Sequence, residues 1–230
     1  MRERSFMEQR ASQYSYGEIV SDQVYNLVLG GTVVYGLVAN ILICAFLTPF
    51  ALSINPIALF IAYLVCVIAG STISSRSSSP LLSFLGYNLI VLPVGLVVSI
   101  SVYYYGGISS TLVYTAFQYT LGITATMFLL ASIFPDFFSR LHGVLLGGLI
   151  GLIISEIVLF FLGIHTVVSS LIGAGLFSLY IGYDFVRAQR YPKTLDNAVD
   201  AAVGIYLDII NLFLRLLRIL SRSRSSSSSK

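Results

Sequence analysis

The chain has 230 residues, 57% of them hydrophobic and 10% charged, with a formal net charge of +3 and a mean hydropathy of +0.89. Soluble domains carry about a quarter charged residues, so an ordinary water-soluble globule is excluded. No basic patch interleaves with aromatics, which excludes a nucleic-acid binder. No Asp, Glu, Lys or Arg lies between Asp22 and Arg76 or between Arg76 and Asp136, and Glu156 alone interrupts the stretch from Arg140 to Asp184. Runs of that length exceed the roughly 20 residues a spanning helix needs.

Residues 1–23 are polar, and the apolar stretch that follows is too long for the core of a removable signal peptide. Punctuation by Pro, Gly, Ser and charge then predicts seven helical segments at 24–47, 56–75, 81–104, 109–134, 141–163, 166–187 and 198–220. The intervening breaks are short: "TPFALSINP", "RSSSP", "GGISS", "PDFFSR", "GIHT" and "RAQRYPKTLDN". Backbone amides in hydrocarbon need internal partners, and the alternating ten-residue strands of a barrel are absent, so the expected class is an all-α integral membrane protein. Residues 221–230, "SRSRSSSSSK", have the composition of a disordered tail. Pro93 falls within segment three and is expected to kink it. Gly143, Gly147 and Gly151 form a stripe in segment five that suits close packing against another backbone. Cys44 and Cys66 sit inside apolar runs and read as small buried hydrophobes. His142 and His165, at segment ends, suit solvated or capping roles rather than metal binding.

Lys and Arg set the orientation. With the N-terminus in the cytoplasm, the inner segments hold Arg2, Arg4, Arg10, Arg76, Arg140, Arg187, Arg190 and Lys193, and the opposite loops hold none. Seven full spans place the tail outside; a re-entrant last segment would return it inside. Seven spans is the reading adopted.

Segment seven carries the charges that need explaining. Gly204, Asp208, Asn211 and Arg215 recur at helical spacing and make one stripe polar. A charge facing lipid at mid-membrane costs from about 3 to more than 10 kcal/mol, which predicts that segment seven sits inside a ring formed by the other six. Arg215 and Arg218 approach the outer end, where they could snorkel; Asp208 is too short to do so. The nearest partner is Asp184, at the end of segment six in "LYIGYDFVR". Segments six and seven are joined by a short connection and run antiparallel, with Asp208 expected at the level of Asp184 or up to about 5–10 Å deeper. Two carboxyls meeting in a low-dielectric site hold one proton between them and titrate as a pair. Arg76, at the inner end of segment two, is the available counter-charge. Protonating the pair would release it, so Asp184, Asp208 and Arg76 are the candidate gate. Glu156 either lines the same cavity or hydrogen-bonds within the bundle, and Tyr183, Asn211 and Arg215 are candidate pathway residues.

The motifs "YIGYD" at 180–184 and "IYLDIINLFLRLLRIL" at 205–220 resemble the last two helices of the Bax inhibitor family, the transmembrane Bax-inhibitor-motif proteins. Tyr183-Asp184 is similar to the family's Tyr-Asp at the end of helix six. Tyr206-Leu207-Asp208-Ile209-Ile210-Asn211-Leu212-Phe213 is similar to its helix-seven signature, and "TAFQYTLGITATMFLLA" at 115–131 to its fourth helix. The resemblance extends over about residues 24–220. It implies six helices around a central seventh, and a pH-sensitive calcium leak controlled by a hydrogen-bonded pair of aspartates, carried here onto Asp184 and Asp208. A family arginine that latches the aspartates corresponds to Arg76. The compact chain with short loops favours a bacterial inner membrane over the endoplasmic reticulum as the location.

The expected function is therefore a proton-gated calcium leak, with the lipid bilayer, calcium ions and protons as partners and no cofactor beyond calcium as the permeant species. Calcium would bind Asp184 and Asp208 only transiently, since permeation needs weak binding. The competing readings are a proton-coupled antiporter and a regulatory partner acting through helix contacts. An intramembrane aspartyl protease fits less well, because Asp208 stands in "YLDII" rather than in Gly-x-Gly-Asp; no enzyme is expected.

Overall fold

The computed structural model describes residues 18–77, 79–164 and 166–227, with side chains to residue 223; His165 lies outside them. The described residues form helices α1 (Asp22–Phe46), α2 (Thr48–Ser53), α3 (Pro56–Arg76), α4 (Pro80–Tyr104), α5 (Thr111–Ile133), α6 (Pro135–Ser139), α7 (His142–Phe161), α8 (Val168–Arg190) and α9 (Leu195–Ser227). Six of these, α1, α3, α4, α5, α7 and α8, are long and apolar enough to cross a membrane.

Local chemistry explains the boundaries. Ser21, Asn55 and Ser110 accept hydrogen bonds from the first free amides of α1, α3 and α5, satisfying donors that have no partner within the helix. Proline opens α2, α3, α4 and α6, where its missing N–H costs nothing. Gly106 and Gly107, with φ of 100° and 80°, turn the chain after α4 through a conformation that side chains with a Cβ avoid. Two of the expected breaks are themselves helical. The prolines in "TPFALSINP" and "PDFFSR" start the short helices α2 and α6, because a proline that ends one helix is pre-organised to begin the next. Helix α4 runs unbroken through Pro93.

Contacts between chain ends fix an up-and-down path. At the end of the bundle carrying the α8–α9 connection, here the hairpin end, the Val20 N–H donates to the Lys193 carbonyl (2.8 Å). Tyr25 donates to the Ala188 carbonyl (2.8 Å), and Gln189 to Asn26 (2.7 Å). Lys193 stands over the Tyr25 ring at 4.3 Å. Arg190 meets Asp136 of α6 at 3.7 Å, an exposed pair worth little in energy but informative about position. His142 at the start of α7 bonds the Tyr183 hydroxyl at 2.9 Å. The starts of α1, α4, α7 and α9 and the ends of α3, α5 and α8 thus share one end of the molecule.

Helix α9 packs against α8, α1, α4, α5 and α3. One of its faces, with Val199, Val203, Tyr206, Ile210, Phe213 and Leu217, joins the core built on α4 around Tyr87, Ile90, Val94 and Val98. A second face, with Ala198, Ala202, Ile205, Ile209 and Leu212, joins the core of α1 and α8 around Tyr25, Leu29, Phe177 and Ile181. None of residues 195–222 is exposed, although α9 is not among the apolar candidate spans. Between the two faces, Asn40 of α1 donates to the Tyr206 hydroxyl (2.8 Å), and Tyr87 donates to the Thr32 carbonyl (3.0 Å). Such interhelical packing and hydrogen bonding take over the holding role that hydrophobic burial plays in water.

Helices α3 and α4 meet backbone to backbone. A Cβ on Gly86 would stand 2.7 Å from the Gly70 carbonyl oxygen, so only glycine permits this approach. The glycine stripe singled out in the sequence behaves differently. Among the described residues, nothing lies within 4 Å of where a Cβ would sit on Gly143, Gly147 or Gly151, and only the neighbouring Gly148 meets a partner, Leu176. Helix α7 buries just Leu145 and Leu152; its main packing partner is α8, and Gly143, Gly147 and Gly151 face away from it.

Candidate functional site

The α8–α9 connection is tight, and its hydrogen bonds set the register. Asn197 donates to the Pro192 carbonyl (2.8 Å), and the Thr194 hydroxyl accepts from the Asn197 N–H (3.1 Å), starting α9 at Leu195. That centring places the Asp184 carboxyl directly against Gly204, where any Cβ would collide with it. Asp208 follows one turn further along α9, about 6 Å. It is 8% exposed, and its Oδ2 is buried with no hydrogen-bond partner among the described residues. Asp184 is half-buried and is the electrostatic neighbour of Asp208. Tyr180, one turn below Asp184 on α8, neighbours both.

Above the pair, a polar cavity of roughly 330 Å³ opens at the hairpin end, lined by Asp184, Arg187, Tyr191, Asn197, Asp200 and Gly204 among others. Asp184 is therefore the floor of a space large enough for several waters, with Asp208 beneath it in the packed interior. No cluster of three or more His, Cys, Asp or Glu forms among the described residues.

The other sequence candidates divide between the two ends. Arg76 is exposed at the end of α3 and takes part in none of the ion pairs among the described residues. Tyr183 bonds His142, stacking on it at 5.7 Å, and so ties α8 to α7. Asn211 donates to the Leu207 carbonyl of its own helix (2.8 Å). Glu156 does not share the aspartate cavity. It pairs with Arg215 and lies 3.6 Å from Arg218, far along α9 from Asp208. Arg215 lies flat over Gly173 of α8, so α7, α8 and α9 are joined near the opposite end by one carboxylate and two guanidiniums. A second polar cavity there, also roughly 330 Å³, is lined by Tyr105, Glu156, Ser169 and Arg218 among others. The arginines of the last helix are thus paired rather than snorkelling, because α7 supplies an acid at their level.

Four residues escaped the sequence reading. Asp196 and Asp200, in the polar first turn of α9, accept hydrogen bonds from Ser83 of α4 (2.6 Å) and Ser74 of α3. Asp196 is 6% exposed, so its carboxyl is enclosed by protein at the start of α9. The available signal was the four-residue spacing Asp196, Asp200, Gly204, Asp208, which continues the polar stripe by two further turns.

Helices with this hydropathy and alternating path define a multi-pass helical membrane protein with an acidic pair between its last two described helices. The sequence profile described as "Inhibitor of apoptosis-promoting Bax1" matches residues 19–225, and the chain belongs to that family. It is 35% identical over 107 residues to an "Uncharacterized protein" of Helicobacter pylori, covering 44% of this chain and 45% of that one. It is 33% identical over 122 residues to an "Uncharacterized protein" of Borreliella burgdorferi, covering 46% and 52%. A Vibrio cholerae "Uncharacterized membrane protein" is 36% identical over 107 residues, covering 44% and 47%. The chain spans about half the length of the curated relatives it matches.

Proposed function

We propose that this protein is a pH-responsive calcium leak of a bacterial inner membrane, gated by a proton shared between Asp184 and Asp208. One observation carries the reading: Asp184 lines the floor of a polar cavity, and one helical turn along the adjoining helix its electrostatic neighbour Asp208 holds an oxygen buried without a donor. Such an oxygen requires a proton or a cation to be stable there. Calcium, a hard ion that seeks oxygen ligands, suits two carboxylates that bind it too weakly to retain it. Helix α9 is the seventh span and the central one, supported by its two buried faces and the absence of exposed residues over 195–222. The hairpin end, with Arg76, Arg140, Arg187, Arg190 and Lys193, faces the cytoplasm under the positive-inside rule. Arg76 is the counter-charge that engages the pair once it is fully ionised, and in the conformation described here it is disengaged.

The test is calcium entry into liposomes holding the purified protein, followed with a trapped indicator. Flux is expected to rise severalfold as pH falls from about 8 to about 6, the range bracketing a coupled carboxyl pair. Flux that ignores pH contradicts the reading. Uphill calcium movement driven by an imposed proton gradient replaces it with an antiporter.

Gly204→Ala probes the register on which the pair depends. Its methyl group occupies the place of the Asp184 carboxyl, so the acid must swing into the cavity and away from Asp208. The midpoint of the pH response is expected to move by about one pH unit with helix content, read by circular dichroism, unchanged. An unmoved midpoint would mean that the contact between Asp184 and Gly204 does not set the gate.

A further inference from the structure

We infer that the hairpin end is held closed by a pair of serine–carboxylate bonds, Ser74 to Asp200 and Ser83 to Asp196, which clasp the α3–α4 pair onto α9 and position one wall of the cavity. The contact itself stands independently of calcium transport; only its consequence for flux rests on the leak reading.

Both donors are deeply buried, Ser74 at 2% and Ser83 at 0% exposure, so these are interior contacts rather than incidental surface ones. The Ser83 hydroxyl points at Asp196 Oδ1 (2.6 Å), with the Ser74 carbonyl 3.2 Å away as a longer second acceptor, and Ser74 donates to Asp200. Hydrogen bonds to charged groups are stronger than neutral ones, and a buried carboxylate stripped of its donor is costly.

The two bonds act on a single body. Gly70 and Gly86 bring the α3 and α4 backbones into contact a turn or so from the serines, so neither helix can leave α9 without the other. Helix α3 has few other anchors: its buried residues are Leu59, Gly70 and Ser74. The basic residue at this corner, Arg76, is exposed and outside every ion pair among the described residues. Hydroxyls, not a guanidinium, therefore make the contact between α3–α4 and α9 seen here. Ser75 and Asp200 both line the cavity above Asp184, so releasing Ser74 from Asp200 parts that wall and widens the entrance over the acid pair.

A double-mutant cycle tests this in the full chain, in a background with Cys44 and Cys66 replaced. Spin labels go on cysteines introduced at Leu81, which is 68% exposed, and at the exposed Pro192, and their separation is read by pulsed electron resonance. Ser74→Ala and Asp200→Ala are each expected to raise the population with α4 moved away from the α8–α9 connection about tenfold or more, the size expected for a hydrogen bond to a charged group. The double variant should go no further than either single one. Asp200→Asn keeps an oxygen acceptor and should retain the wild-type separation; Ser83→Ala provides the same readout on the second bond if Ser74→Ala is not recovered folded. Unchanged distances in the alanine variants, or effects that add in the double variant, overturn the clasp. Parted labels with unaltered calcium flux would uphold the clasp and remove its consequence for flux. Parted labels with flux that ignores pH would uphold the clasp and sink the leak reading, so the two fail separately.

Discussion

Asp208→Asn is expected to pass calcium at one rate across about pH 6 to 8, collapsing the wild-type response to a ratio near one. The physical reason is the asymmetry of the pair. Asp208 is 8% exposed, and its Oδ2 has no donor in reach, so a charge there must be matched by a shared proton, a cation or a rearrangement. Asparagine has the same shape and no titration, and its amide can donate to the neighbouring Asp184 carboxylate. Asp184→Asn should weaken the response less completely, because Asp208, the more deeply buried acid, keeps its titratable carboxyl. Both variants belong beside wild type in one liposome titration. Retention of the full pH response in Asp208→Asn would remove Asp208 from the gate.

Glu156→Ala is expected to lower the melting temperature in detergent by roughly 5–10 °C, which corresponds to about 2–3 kcal/mol for a chain of this size. Removing one partner of a buried ion pair costs about 3–5 kcal/mol because the other charge is stranded; here Glu156 is 31% exposed and Arg215 is 16% exposed, so solvent recovers part of that. The stranded charge would be Arg215, lying over Gly173 in the interface of α8 and α9, with Arg218 close behind. Adding Arg215→Leu to Glu156→Ala should restore much of the loss, since two matched apolar groups can replace a buried pair at little cost. A single variant that melts with wild type would show that the cluster is solvated and contributes little.

These two expectations concern opposite ends of one helix, and they mark how far the sequence could be read. Most long helices start and stop within a few residues of their expected bounds because prolines, serine caps and charges punctuate a uniformly apolar chain; α9 instead runs to Ser227, through most of the stretch expected as a disordered tail. Counting residues about a short connection predicted an antiparallel hairpin and left Asp208 either level with Asp184 or about 5–10 Å deeper; Asp184 stands opposite Gly204, one turn before Asp208. Position along an axis is legible in this way; rotation about it is not. Glu156 could equally have faced the aspartates or the arginines, and only the packing of α7 against α8 decides for the arginines. The outward turn of Gly143, Gly147 and Gly151 was hidden for the same reason. Ser74 and Ser83 were illegible because serine is common in "STISSRSSS", and no rule separates a buried donor from a solvated one before α4 is placed. Arg76 drew attention as the lone charge in a long neutral stretch, while the hydroxyl two residues earlier holds the contact.

The burial of α9 on every side has a consequence for biogenesis. Among the described helices it is the last in chain order, and its charged stripe makes it a poor substrate for unaided partition into lipid. As the seventh span proposed above, it enters a cleft shaped by the six apolar helices before it, where Glu156, Ser74 and Ser83 receive its arginines and acids. On that proposal, insertion of α9 is the step that completes the described bundle, and a nascent chain stalled before residue 195 leaves the partners of its charged stripe unmatched.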